Sequence, residues 1–551
     1  MVLDVTSLRG RRAVDRWNRV AVGDVVERMT WSFPDRLALV GWGEAIGDPS
    51  FARVTYRQAD RIANQFAHAL AARGLEPGAV VMMLCENSVE AFLVKLGVAK
   101  AGMTVAPVNP SLAPDVIAAL IERVEPALAV IDAELGGRAE EVFGGTGLAP
   151  AVTIEVGGSA LPGTVSFGAF VEGQPVDEPE VEIHGDDVWE LLFTSGTTAL
   201  PKAVMLTHTG AHLAGHGFAL SLTRGLRIED ELVLCSFLPL VYHVGDHPFA
   251  LGTLVTGGTL VLGRRPDPAQ IAAAVAAERV TALWAGSPQL LGALAPHLGT
   301  VDARCLHVIV YGWAALDPAL LAELERHCAE DLLVFEIFGQ TEAIACHRFW
   351  PSRWQQTYAA TAPAVNYVGV PSPLLASTVM DPEGGSLAGS PGVPGEAVYR
   401  SPVVMAGYYR DEAATEEAFR FGWFHSGDSC SYDDDGLRIM VDRYKDIVKS
   451  GGENVSSIRV EAVLCQHPDV AKAAVVGLPH DRWGEAVTAI VVAAPGAAPD
   501  EEALLGWCRE RLAGFERPKR VIFVDSFPET VGGKILKYRL RAEFGDTYRE
   551  V

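Results

Sequence analysis

The 551-residue sequence predicts an α/β fold: a large multi-layer N-terminal domain with mixed sheets over residues 1–441, then a small α+β domain over 442–551. Three observations carry this. The length exceeds what one hydrophobic core serves, and 49% apolar content is ample for burying two. Short apolar runs alternate with amphipathic helical stretches, as in layers around a largely parallel sheet. Near the C-terminus, short strands over 472–478, 487–492 and 521–524 alternate with helices again after a charged, glycine-rich break.

In chain order, Thr55 and Gln58 have capping-box spacing and open a helix with Ile62, Phe66 and Leu70 on one face and Gly74 as its stop. A strand is expected at Val80–Leu84. A second helix follows Asn87, turns Phe92, Leu93 and Leu96 inward, and ends near Gly102 before the extended run 105–108. Another strand is expected at Ala127–Ile131. Residues 134–185, rich in Gly, Pro and acid and poorly periodic, read as a surface excursion. No repeat of solenoid period is visible.

Composition narrows the function. A formal charge of -24 disfavours nucleic acid or an anionic membrane as a general partner. Eight cysteines without a C-x-x-C pair or zinc spacing suit reduced thiols and a cytoplasmic location. The first twelve residues lack the apolar stretch of a signal peptide, and the weakly charged stretch 203–223 is too polar for a membrane span. Only nine lysines occur, yet Lys202, Lys445, Lys449, Lys534 and Lys537 all lie in the motifs described next, where a compact ammonium is wanted.

The chemistry begins where the apolar strand Val188–Phe193 runs into Thr194-Ser195-Gly196-Thr197-Thr198-Ala199-Leu200-Pro201-Lys202. Hydroxyls, backbone N–H groups and a lysine gathered in one loop suit a polyanion, although the spacing of a P-loop is absent. A Ser/Thr-rich surface turn is the bland alternative. Two later strands, 306–310 and 332–337, end at Tyr311-Gly312-Trp313-Ala314-Ala315-Leu316 and Phe338-Gly339-Gln340-Thr341-Glu342. The C-terminal ends of neighbouring parallel strands face one crevice, which is where open α/β sheets bind ligands. Thr341 and Glu342 could equally start a helix. A carboxylate such as Glu342 suits a hard cation that bridges phosphates. Gly422-Trp423-Phe424-His425-Ser426-Gly427-Asp428 presents a carboxylate able to accept from both hydroxyls of a diol. Asp442-Arg443-Tyr444-Lys445-Asp446, followed by Lys449, Gly451, Gly452 and Glu453, could also be an ordinary linker.

Taken together, in order and spacing, these runs resemble the adenylate-forming superfamily of acyl-CoA synthetases, adenylation domains and beetle luciferases, from about residue 50 to 540. The phosphate loop departs from the family's pattern at Ala199 and Ala203, where relatives have glycine, and Trp313 replaces a small residue. Should those glycines need positive φ, the alanines would carry strain. The resemblance implies a mobile C-terminal domain pivoting at Lys445, and Mg²⁺, ATP and coenzyme A as cofactor and substrates. It implies that Thr194, Ser195, Gly196, Thr197, Thr198 and Lys202 hold the phosphates, with Ala314, Phe338 and Gly339 beside the adenine. Thr341 would meet the α-phosphate, Glu342 would hold Mg²⁺, Asp428 and Arg443 would hold the ribose, and Lys534 near the C-terminus would be catalytic with Thr194 and Glu342. Lys445, Lys449, Gly451, Gly452 and Glu453 would serve the hinge and coenzyme A. The segment Leu238–Gly245 resembles the family's P-L-x-H stretch with one extra residue, so Tyr242 and His243, with Tyr311, Gly312 and Trp313, would border the acyl pocket. A hydrogen-bonded structural histidine is the plainer reading of His243. Asp246 sits where amino-acid-activating relatives pair an amine, but in a different local pattern, which disfavours an amino acid.

The expected activity is therefore an acid–thiol ligase: a carboxylic acid is adenylated and passed to coenzyme A. The bulk of Trp313 points to a compact, bulky acid, aromatic, steroid-like or polycyclic, over a long straight chain, with a fatty acid kept open. Loading of a carrier protein, luciferase-type oxygenation and an adenylate-binding sensor with weak chemistry are the rival readings, and a homodimer is left open.

Overall fold

The computed structural model describes residues 19–194, 201–222, 232–529 and 535–548. The first expected helix forms as α1 (Tyr56–Ala72), with the complete Thr55–Gln58 capping box, and Gly74 follows its end with φ +78°. Strand β1 (Val80–Leu84) leads into α2 (Val89–Lys100), which Ser88 rather than Asn87 caps, through its side chain accepting from Ala91 N. Every residue of α2 is buried, so its outward face is as apolar as its inward one, and it lies between two sheets. Strands β2 (Thr104–Pro107) and β3 (Leu128–Asp132) flank β1 in parallel.

The stretch 134–185 is not a surface excursion. It supplies β4 (Pro150–Ile154), parallel to β3, and a one-turn helix over 167–171 whose Phe167 and Phe170 are buried against Phe66. Its elements are two to eight residues long, below the window in which apolar periodicity becomes visible. Next come β5 (Val188–Phe193) and β6 (Ala203–Thr207), paired antiparallel, with β5 also parallel to β2.

A larger sheet holds thirteen strands among the described residues. Its parallel centre includes β7 (Val308–Gly312) and β8 (Leu333–Gln340) in register Val308↔Leu333 to Gly312↔Ile337. The chain then reverses into β9 (Ala343–Phe349), so Thr341 and Glu342 occupy a hairpin turn and do not start a helix. The two-residue strand β10 (Gly407–Tyr408) belongs instead to the first sheet, paired antiparallel to β6. Strands β11 (Phe424–Tyr432) and β12 (Arg438–Arg443) extend the larger sheet.

The C-terminal sheet uses only residues from 448 onward, and its long pair Val470–His480 and Gly484–Ala493 encloses its own apolar cluster. This agrees with a large mixed α/β unit followed by a small α+β one. Among the described residues, no helix is long and apolar enough to cross a membrane.

Gly97, in the middle of α2, lies where a Cβ would come within 2.8 Å of Phe66 Cβ and 3.0 Å of the Ala63 carbonyl oxygen on α1. Helix propensity alone favours alanine there by about 1 kcal/mol. Close packing reverses the sign, and Gly97→Ala should destabilise by about 1–3 kcal/mol. Urea unfolding followed by tryptophan fluorescence measures this, and a midpoint raised by the substitution would contradict it.

Candidate active site

The hairpin of β5 and β6 is closed just beyond its strands. Thr194 N donates to the Lys202 carbonyl at 3.0 Å, and Lys202 N donates to Thr194 Oγ1 at 3.2 Å. Ser195, Gly196, Thr197, Thr198 and Ala199, which span this closure, lie outside the described residues. Ala203 is a buried strand residue opposite Phe193 and does not have positive φ. The backbone strain expected for alanine at this position is therefore absent.

Lys202 Nζ stands 4.3 Å from the ring centroid of Tyr408, within cation–π range. The Tyr408 hydroxyl donates to Glu342 Oε1 at 3.0 Å. One phenol thus joins the lysine after the loop to the carboxylate of the β8–β9 turn, and burial and then Glu342 hold that phenol well above its ordinary pKa. No pattern in the sequence singles out Tyr408. A tyrosine in a two-residue strand belongs to no periodic pattern and stands 66 residues from its partner Glu342.

From Glu342 the charges continue to Arg443, whose guanidinium is held above its ordinary pKa by Asp428 first and, after the opposing effect of burial, by Glu342. Arg443 and Asp428 face each other across β12 and β11, with Nε 3.2 Å from Oδ1. Asp428 is 2% exposed, and Gly427 before it takes φ +72°, a left-handed turn that suits glycine. The structure therefore brings Thr194, Lys202, Thr341, Glu342, Asp428 and Arg443 into one contiguous cluster. The carboxylate, phenol, guanidinium and ammonium at its rim suit a polyphosphate with a diol.

Phe338 is half-buried against the cluster of Leu192 and Val204. Gly312 must be small, because a Cβ there would lie 2.8 Å from the Ile337 carbonyl oxygen of β8. Ala314 is half-buried beyond it.

The aromatic residues divide between two faces. Strand alternation places Tyr311 in the core with Leu316 and Leu324, opposite Val310 and Trp284, and it is fully buried. It does not border the same space as Trp313. Trp313 is 45% exposed, with its ring 5.8 Å from Trp284, which stacks on Phe249 at 4.7 Å. Its φ of +72° is left-handed. A bulky residue there costs on the order of 1–2 kcal/mol, so the ring is held at the expense of backbone strain. Gly286 makes room for it, since a Cβ on Gly286 would lie 2.8 Å from Trp313 Cζ3. Tyr242 is half-buried and its hydroxyl accepts from Asn109 Nδ2 at 3.3 Å. His243 is 3% exposed with both ring nitrogens engaged, Nδ1 at 2.6 Å from the Thr341 carbonyl oxygen and Nε2 at 2.9 Å from His247 Nδ1. In this arrangement it is a bonded partner of the hairpin turn. Asp246 is fully buried and ion-paired with Lys95.

Below β12 the chain passes an exposed Lys445, and Asp446 pairs with Arg541 at 2.6 Å. Lys449, Gly451, Gly452 and Glu453 are exposed on a two-glycine hairpin with φ +62° and +90°. Lys534 lies outside the described residues.

A family model described as AMP-binding enzyme matches residues 27–409, and the AMP-binding enzyme C-terminal domain matches 459–534. The chain is 37% identical over 371 residues to a feruloyl-CoA synthase of Amycolatopsis sp, covering 67% of this chain and 72% of that one. It is 30% identical over 537 residues to a long-chain-fatty-acid–CoA ligase of Mycobacterium tuberculosis, covering 95% and 99%. Among solved structures, ATP-bound MatB from Rhodopseudomonas palustris superposes with a TM-score of 0.81 at 28% identity, covering 96% of this chain and 100% of that one.

Tyr408→Phe removes only the hydroxyl bonded to Glu342. It should leave the fold intact and weaken binding of Mg²⁺-ATP by roughly ten-fold, the scale of losing a hydrogen bond that orients a metal-ligating carboxylate. Titration calorimetry reads the change, and unaltered affinity would remove Tyr408 from the site.

Proposed function

The chain belongs to the AMP-binding enzyme family, and from that premise we propose that it is an ATP-dependent acid–thiol ligase that makes acyl-CoA from a compact, bulky carboxylic acid, releasing AMP and pyrophosphate. The observation that carries the proposal is the convergence of Lys202 and Glu342, tied through the phenol of Tyr408, with the ion pair of Arg443 and Asp428 beside Glu342.

In the first half-reaction the substrate carboxylate oxygen attacks the α-phosphorus of ATP in line, and the bond to the bridging oxygen breaks to release pyrophosphate. The protein supplies position and charge. Thr194 to Lys202 holds the outer phosphates, and Thr341 meets the α-phosphate. Asp428 accepts from the ribose hydroxyls, which requires Arg443 to share its carboxylate. Phe338, Gly339 and Ala314 flank the adenine. Lys534 neutralises charge developing between carboxylate and phosphate. Glu342 fits Mg²⁺ by donor chemistry, as a hard carboxylate with one oxygen oriented by a phenol and a phosphate site beside it. When bound, the ion withdraws charge from the phosphate oxygens. In the second half-reaction the small domain turns about Lys445, moving Lys534 away and bringing Lys449, Gly451, Gly452 and Glu453 toward the pantetheine. Its thiolate attacks the acyl carbon, and AMP leaves.

Two observations support the acid class. Trp313, backed by Trp284 and Phe249, forms a rigid aromatic wall suited to a planar or polycyclic acid. The feruloyl-CoA synthase similarity points the same way. An amino-acid substrate is disfavoured because the Asp246 carboxylate is buried and paired with Lys95. The described cysteines are all free thiols, which supports a reducing, cytoplasmic setting.

A panel of aromatic, polycyclic and linear acids with ATP and either coenzyme A or a carrier protein, scored by pyrophosphate release and thioester mass, tests the proposal directly. Pyrophosphate release with none of the acids would refute it. Lys534→Ala should cut adenylate formation by roughly 10²-fold or more while sparing thioester formation from supplied acyl-adenylate. Equal loss in both half-reactions would sink its assignment. Trp313→Ala should shift preference toward longer linear acids by about 1–3 kcal/mol in relative kcat/KM. Trp313→Gly should do the same and be more stable than Trp313→Ala, because glycine takes the left-handed backbone without strain, so an unchanged acid profile in both would remove the ring from the acyl site.

A further inference from the structure

Beneath the hairpin turn that carries Thr341 and Glu342 lies a chain of polar groups with no access to water. Lys95 of α2, Glu190 of β5, and Asp246, His247 and His243 of the segment after residue 240 are each at most 3% exposed. The contacts run in one line. Glu190 Oε2 is 2.7 Å from His247 Nε2, His247 Nδ1 is 2.9 Å from His243 Nε2, and His243 Nδ1 is 2.6 Å from the Thr341 carbonyl oxygen. Lys95 Nζ is 2.6 Å from Glu190 Oε1, pairs with Asp246, and donates to the Leu240 carbonyl at 3.2 Å. Glu190, Asp246 and His247 have the spacing of a metal site, but the Lys95 ammonium already stands among the two carboxylates.

The direction of these hydrogen bonds is fixed by their far end. A carbonyl oxygen only accepts, so His243 Nδ1 must carry a proton and donate. A neutral His243 then accepts at Nε2, which makes His247 Nδ1 the donor to it. A neutral His247 in turn accepts at Nε2, and only Glu190 is placed to give it a proton. Charge balance agrees. Two carboxylates and one ammonium leave a net negative charge in a dry interior, and one added proton on the line removes it. Burial pushes the Glu190 and Asp246 carboxyls up, Asp246 to about 6, and the His247 imidazole down to about 3, which favours a proton on a carboxyl over one on the ring. Of the two carboxyls Glu190, at 2.7 Å against 3.9 Å, is the one within hydrogen-bond distance of His247 Nε2.

We propose that Glu190 and His247 are positioning residues for the adenylation site: protonated Glu190 donates to His247, His247 to His243, and His243 to the Thr341 carbonyl, fixing the turn that presents Thr341 and Glu342. The proposal rests on the ligase reading above for its consequence in activity, but not for its geometry. It gives Glu190, four residues before Thr194 on the same strand, a second link between the phosphate loop and the β8–β9 turn. Trp189 stacks on His247 with ring centroids 5.1 Å apart and keeps the imidazole in line.

The test compares two nearly isosteric substitutions. Glu190→Gln keeps a donor toward His247 and an acceptor toward Lys95, whereas Glu190→Met keeps neither. In pyrophosphate-release kinetics, Glu190→Met should lose roughly ten-fold or more in kcat at saturating ATP, and Glu190→Gln should stay within about three-fold of wild type, the contrast expected between removing and preserving an orienting partner. His243→Asn, whose amide reproduces an Nδ1 donor, should exceed His243→Leu in the same assay. Equal activity of Glu190→Met and wild type, or equal damage by Gln and Met in folded protein, would overturn the proposal. Ring ¹⁵N shifts of the intact wild-type protein give a readout that needs neither turnover nor a folded variant. Both His243 and His247 should be neutral with the proton on Nδ1, and a doubly protonated His247 would overturn the assignment of the donor to Glu190. Failure of the ligase reading alone would appear as no pyrophosphate release from wild type while the ring tautomers stand as stated.

Discussion

The candidate site depends on how one short segment, residues 404–409, crosses between two sheets. On one side its backbone joins the hairpin of β5 and β6, with Ala406 N donating to the Met205 carbonyl and Tyr409 N to the Ala203 carbonyl. On the other side Met405 N donates to the Glu342 carbonyl, and Val404 forms a bridge with Ala343. One sheet carries Lys202 and the other carries Glu342, Asp428 and Arg443. This crossing sets them at a fixed separation, and Tyr408, at its centre, converts backbone registration into a side-chain contact with both Lys202 and Glu342. Registering charges through main-chain hydrogen bonds suits a site whose chemistry is mostly positioning.

The sequence made the frame and the chemistry legible to different depths. The capping box at Thr55, the strand 188–193 and the existence of strands near 306–310 and 332–337 were readable because each has a local cause, a cap or an apolar run, although the last two strands run on to Gly312 and Gln340. Sheet partnership was not readable in the same way. The stretch 134–185 looked irregular because its strand and helices are stabilised by β3 and Phe66, residues distant in sequence. Tyr311 and Trp313 are two residues apart and looked like one wall, yet strand alternation sends Tyr311 into the core. The left-handed backbone at Trp313 then takes its ring toward Trp284. His243 stood out in the sequence as a hydrogen-bonded histidine, but Tyr408, Glu190 and His247 left no trace there, since their meaning is entirely in contacts across elements.

Two kinds of polar group meet at this site and are handled oppositely. Glu342, Arg443 and Lys202 stay near solvent, where a charged ligand can be exchanged. Lys95, Glu190 and Asp246 are sealed in the interior, where an unmatched charge is costly and so enforces a single arrangement. A rigid, neutralised interior beneath a solvated, charged rim allows the rim to recruit a polyanion without the turn beneath it yielding.

The contacts between the last strand of the large unit and the first helix of the small one act as a latch. Ser457 donates to the Asp442 carboxylate from both its backbone N, at 2.6 Å, and its hydroxyl, at 2.7 Å, and Ser456 Oγ donates to the Val441 carbonyl at 2.7 Å. Lys537, itself paired with Glu461, donates to the same Ser457 hydroxyl. Residues 441 and 442 precede Lys445 and these partners follow it, so a pivot at Lys445 exchanges all three serine bonds for water at roughly 1 kcal/mol each. In the proposed two-step reaction such a latch would act as a clock, its strength setting how long the reactive anhydride stays enclosed before the small unit turns.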